Sequence, residues 1–161
     1  MEGILFYIRN EHGKQLFEIL EGIISSSWYW SVSPEEAYYT RDYNSRKPLP
    51  FFSETKTIMD GQTFIRHISE EDYILIFADI KAFPTLESVV EIDNETKFMK
   101  SSCKLGLIVS DSAQVIVYSR EKQIILEILK RAESIGYKDI RFMNKEEIIA
   151  AVWGWMPRNW A

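Results

Sequence analysis

The stretch Cys103–Met143, CKLGLIVSDSAQVIVYSREKQIILEILKRAESIGYKDIRFM, decides the fold class. It reads as strand, tight turn, strand, amphipathic helix and strand, with little left over. Leu105, Leu107 and Val109 alternate with Lys104, Gly106 and Ile108, and that period of two belongs to a strand with one wholly apolar face. Asp111 and Ser112 mark a turn that leads to Val115 and Val117. Ser119 stands where a helix cap is expected, and Ile124, Ile125, Ile128, Leu129, Ala132 and Ile135 then form one stripe at helical spacing. Glu127 and Arg131 sit four residues apart on the opposite side, where water is expected. Gly136 closes the helix, and Asp139–Met143 returns as a strand. This β-β-α-β unit predicts an α+β fold. The expectation is a single domain over residues 1–161, with a largely antiparallel sheet and helices packed mainly on one face.

Working outward, Tyr73–Ile80 is a nearly continuous apolar run, the signature of a strand buried on both faces, and Phe83-Pro84 ends it. Gly3–Ile8 predicts a first strand, followed by a helix over 11–24 capped by Asn10. Trp28–Val32 and Glu36–Thr40 read as two strands across a Ser-Pro turn. Residues 41–53 hold two prolines and three basic side chains, which predicts a loop and a candidate mobile segment. Asp60-Gly61 predicts a hairpin between strands at Thr55–Met59 and Gln62–Ile68. Ser88–Ile92 is a further strand candidate and Asn94–Ser101 a short helix. Asn144 is placed to cap a last helix ahead of a Trp-rich tail.

The chain has 161 residues and a formal charge of −5, unevenly distributed. Residues 1–100 carry 10 basic against 17 acidic side chains, and residues 101–161 carry 9 against 7. An acidic front half repels phosphates, so no nucleic-acid partner is expected. The N-terminus MEGILFYIRN lacks the basic region and cleavage site of a signal peptide, and no apolar run approaches a membrane span. Cys103 is the only cysteine, which fits a reducing compartment, so a cytoplasmic location is expected.

No motif names a reaction. Cys103 opens an apolar strand and reads as a buried thiol. Asp79 and Lys81 share a strand face and read as an ion pair where the strand meets solvent. His12 and His67 lie far apart, read as surface residues, and lack a partner at zinc-ligand spacing. Glu70, Glu71 and Asp72 are not spaced as a calcium loop and read as a solvated turn. No catalytic residue, metal site or cofactor is therefore assigned. The segment WYWSVSPEEAYY is aromatic and acidic together. Trp28, Trp30, Glu35, Glu36, Tyr38 and Tyr39 are the candidate partner-binding residues, with rings as anchors and carboxylates for steering. Trp153, Trp155 and Trp160 are expected to dock on the protein's own core.

The stretches YILIFADIKAFP (73–84) and Cys103–Met143, with the N-terminal strand and helix, resemble a family of small uncharacterised proteins from spore-forming Gram-positive bacteria. The resemblance implies a bacterial cytoplasmic protein and transfers no catalytic residue. The expected function is a non-catalytic protein-binding domain. Its concrete form would be an immunity-type protein that neutralises a basic partner through the acidic aromatic face. A small-molecule-binding protein, using a cleft between the proline-rich loop and the end of the FADIKAFP strand, is the alternative, and an enzyme without a recognisable motif comes after it. Composition leaves the oligomeric state open.

Overall fold

A computed structural model describes residues 1–154, without the side chains of Pro34 and Glu35. In chain order the elements are β1 (Glu2–Tyr7), α1 (Gln15–Leu20), β2 (Tyr29–Tyr39), β3 (Ile58–Asp60), α2 (Gly61–Glu70) and β4 (Tyr73–Phe83). They continue with α3 (Glu95–Lys100), β5 (Leu105–Ser110), β6 (Gln114–Ser119), α4 (Lys122–Ile135), β7 (Lys138–Met143) and α5 (Lys145–Trp153). The strands form one seven-stranded sheet in the order β3-β2-β4-β5-β6-β1-β7. Every neighbouring pair is antiparallel. The fold is α+β.

The C-terminal unit forms as its sequence dictates. Asp111 and Ser112 take φ of 52° and 61°, and the Ala113 N–H closes the turn on the Ser110 carbonyl at 3.1 Å. An Asp in the left-handed region suits such a hairpin turn. Ile124, Ile125, Ile128 and Ala132 bury the inner face of α4. Gly136, at φ 90°, then lets its own N–H and that of Tyr137 return to the Ala132 carbonyl. β7 does not pair parallel to any strand. β1 inserts between β6 and β7 and runs antiparallel to both, so α4 crosses over β1.

Helices α1, α2 and α4, including the two longest, cover one face of the sheet with Leu16, Ile19, Phe64, Ile68 and Ile128. Tyr73 fastens two of them: its hydroxyl donates to the Ile68 carbonyl at 2.9 Å and accepts from the Leu16 N–H at 3.1 Å. The opposite face is partly covered by α3 and α5, which bring Phe98, Ile148 and Val152 onto Leu5, Ile108 and Tyr118. Gly106 is required there, because a Cβ on it would lie 2.1 Å from the Tyr118 ring.

Several expectations are corrected. The helix over 11–24 shrinks to Gln15–Leu20 because Gly13 is committed to a backbone bridge with Tyr73, so Asn10 caps nothing. Tyr29–Tyr39 is one strand rather than two, and the Ser-Pro stretch is absorbed as an irregularity between Ser33 and Glu36. Asp60-Gly61 starts a helix instead of a hairpin. The Asp60 carboxylate accepts from the Thr63 N–H and hydroxyl, both at 2.9 Å. Gly61 is needed because a Cβ would meet the Ser26 carbonyl oxygen at 2.4 Å. Ser88–Ile92 forms no strand. Ser119 ends β6 rather than capping α4, although its Oγ accepts from the Glu121 N–H at 2.9 Å. The loop over 41–53 is pinned at its far end by buried Phe51 and Phe52.

Candidate functional site

The aromatic segment does not present one contact surface. Trp30 is fully buried and stacks on Phe64 at 4.1 Å, so it cannot touch a partner. Trp28 is half-buried beside it, with ring centroids 6.2 Å apart. Tyr39 pairs with Tyr73 and Tyr38 with Ile74, so the two tyrosines lie on opposite faces of the sheet. Arg41 covers the Tyr39 ring at 4.7 Å. Glu36 is exposed, while the Glu35 side chain lies outside the described residues. The grouping legible in the sequence is divided by the sheet itself.

The ionisable candidates are occupied structurally. Lys81 donates to Asp79 at 2.8 Å, and both side chains are nearly buried rather than at a solvent edge. Cys103 is buried, and desolvation pushes its thiol up to about 12, far from a reactive thiolate. His67 is not a surface residue: it stacks on Phe51 at 4.1 Å, and its Nε2 lies 2.7 Å from the Phe51 carbonyl oxygen. Burial lowers its pKa, against the opposing pull of the Phe51 carbonyl, Glu70 and Glu71. His12 lies 2.8 Å from the Thr40 hydroxyl. Asp72 accepts from Lys14 at 2.6 Å and Glu71 pairs with Arg41 at 3.3 Å. Among the described residues, no group of three His, Cys, Asp or Glu side chains is arranged to hold a metal ion. Trp153 does dock on the core, against Phe98 and Tyr118, whereas Trp155 and Trp160 lie outside the described residues.

A different place stands out. A cleft of about 410 Å³ separates the segment running from the end of β1 into α1 from the junction of α4 and β7. Local structure builds both walls. The Gly13–Tyr73 bridge holds the connection after β1, so that α1 starts at Gln15. Across the cleft, the left-handed turn at Gly136 delivers Tyr137, whose ring stacks on Phe6 at 5.3 Å and 8°. The Tyr137 hydroxyl donates to Glu18 Oε2 at 3.1 Å and so ties the walls together. Arg131 reinforces this, with Nε on the Glu18 carbonyl and Nη2 on the Glu21 carboxylate, both at 2.7 Å. Burial first, and then the Glu18 charge, raise the Tyr137 pKa, so its hydroxyl keeps its proton.

Gln15 lines the cleft and is only 6% exposed. Its Nε2 donates to the Glu11 carbonyl, but its buried Oε1 finds no donor among the described residues. A buried acceptor left unmet costs about 1–3 kcal/mol. Tyr7 adds an aromatic surface, and Arg9 and Lys138 place cations at the exposed rim. The sequence reading missed this cleft because its parts come from the two ends of the chain. The available signal was Gln15 standing beside Leu16 and Ile19 on an otherwise apolar helix face.

Residues 1–153 match the model of a family described as protein of unknown function (DUF2691). The chain belongs to this family. It is also 28% identical over 144 residues to the uncharacterised protein YncE of Bacillus subtilis strain 168, covering 89% of this chain and 92% of that relative. The match extends the earlier resemblance through the N-terminal half, including both walls of the cleft. No solved structure matches the chain.

Proposed function

We propose that this protein is a non-catalytic binding protein that takes a small polar ligand in the cleft between the start of α1 and the α4–β7 junction. The observation that carries the reading is the buried Gln15 amide at the cleft wall, whose oxygen has no donor among the described residues. A ligand N–H or O–H reaching that oxygen would supply the missing donor. The volume of about 410 Å³ falls in the usual range for small-molecule sites, roughly 300–1,000 Å³. The cleft is not the one expected beside the proline-rich loop.

A Cβ at Gly13 would stand 3.5 Å from the Gln15 amide, an ordinary van der Waals contact, so a bulkier side chain there would crowd this wall. Thermal-shift screening of a library of polar metabolites should give hits that raise the melting temperature of the native protein. Those hits should be silent against Gly13→Phe. Hits that persist in Gly13→Phe would move the ligand site elsewhere.

Docking of a basic protein is the second reading, supported by exposed Glu36 and by the acidic balance of residues 1–100. Immunity-type neutralisation would be its concrete form, without Trp30 as an anchor. Charge reversal at Glu36 would then weaken capture of a basic protein at low salt and leave the melting temperature unchanged. A cytoplasmic location belongs to the same proposal and is supported by the free buried thiol of Cys103. Among the described residues, no helix is long and apolar enough to cross a membrane.

A further inference from the structure

His12 is the residue through which the cleft meets the chain that follows β2. It lines the cleft and is half-buried, and its Nδ1 lies 2.8 Å from the Thr40 hydroxyl. Its ring also meets Tyr43 edge-on, with centroids 4.8 Å apart at 74°. Neither Thr40 nor Tyr43 lines the cleft. The Nδ1 side of the ring is therefore turned away from the cleft. Nε2 lies across the ring from Nδ1, and it has no hydrogen-bond partner among the described residues.

The contact is anchored by backbone on both sides. Gly13, next to His12, exchanges two backbone hydrogen bonds with Tyr73, at 2.8 and 3.0 Å. The Thr40 N–H donates to the Asp72 carbonyl at 3.0 Å. Two consecutive residues at the entry to β4 thus hold His12 and Thr40 in register. Asp42, at φ 64°, and the Tyr43 N–H returning to the Thr40 carbonyl at 3.2 Å make the turn that brings Tyr43 back to the imidazole. A hydroxyl on one nitrogen and a ring against its edge fix the orientation of His12 before anything binds, which lowers the ordering cost of a contact made by the other nitrogen.

We infer that His12 hydrogen-bonds the cleft ligand through Nε2, and that Thr40 is the positioning residue that turns this nitrogen toward the cleft. This inference rests on the cleft being the ligand site.

The test probes the full chain with diethyl pyrocarbonate, which acylates an accessible unprotonated imidazole nitrogen, and reads the product by mass spectrometry. The chain has two histidines, and buried His67 serves as the internal reference. His12 should be modified faster than His67. The strongest thermal-shift hit should slow modification of His12 about tenfold or more at saturation in the native protein, and should leave the rate in Gly13→Phe unchanged. Thr40→Val should weaken that hit about two- to tenfold, as loss of one hydrogen bond does, with an unchanged melting temperature. Thr40→Ser, which keeps the hydroxyl, should restore binding.

A hit that is lost in Gly13→Phe but leaves the His12 rate unaltered would overturn the inference while the cleft stands. So would a His12 that resists the reagent in the free protein, or Thr40→Val binding as well as the native chain. Equal weakening by Thr40→Val and Thr40→Ser would remove the hydroxyl as the positioning group. If no hit is sensitive to Gly13→Phe, the cleft reading falls and the inference falls with it.

Discussion

At the scale of single residues, the side chains that a reader of the sequence would reach for are the ones the fold consumes. Trp30 has the aromatic character of an interface anchor, yet it closes the core against Phe64. Core and interface select the same rings, and spacing does not say which side of a strand faces water. His67 shows the same ambiguity. It stands on α2, stacked on Phe51, and its pKa falls below the ordinary 6.5 because burial disfavours the charged ring. The unfolded chain therefore binds this proton more readily than the folded one. His67 contributes its full stability above the unfolded value and loses it as pH falls through the lower folded value. The melting temperature should drop between about pH 7 and pH 5, and His67→Gln should flatten that drop. An unchanged profile in the variant would show that the ring is not buried as a neutral group.

At the scale of elements, legibility followed the number of independent signals. α4 carries a stripe, a closing glycine and flanking strands, and all three agree. Ile128 lies at its centre and is fully buried, so Ile128→Ala should cost about 2–5 kcal/mol in denaturant unfolding. A loss below about 0.5 kcal/mol would mean the stripe faces solvent, since exposed sites rarely exceed that. Asp60-Gly61 had one signal with two meanings. The dipeptide that turns a hairpin also caps a helix, and the choice rests on Gly61 passing under the Ser26 and Trp28 carbonyls. That contact is invisible in a local reading. The helix after β1 was overdrawn for a related reason: the partner of Gly13 is Tyr73, sixty residues away in the chain. Residue Gln15 became interesting only once that bridge fixed where α1 begins.

For the whole molecule, the class of fold was legible and the strand order was not. Local periodicity identifies strands and helices, but nothing local places β1 between β6 and β7. That insertion makes the candidate site. It carries the end of β1 and the start of α1 up to the α4–β7 junction, so Glu18 meets Tyr137 across the cleft that Gln15 lines. An acidic balance over residues 1–100 pointed toward a docking face, whereas two of those carboxylates, Asp72 and Glu71, are paired at 2.6 and 3.3 Å with Lys14 and Arg41. The central claim is that this cleft, assembled from both ends of the chain, holds a small ligand. A crystal structure of the protein grown with the strongest library hit tests it most directly. Density is expected between Gln15 and Tyr137, with a ligand nitrogen or oxygen about 2.7–3.2 Å from Gln15 Oε1. Density at any other place, with Gln15 Oε1 bonded to a donor of the protein itself, would contradict it.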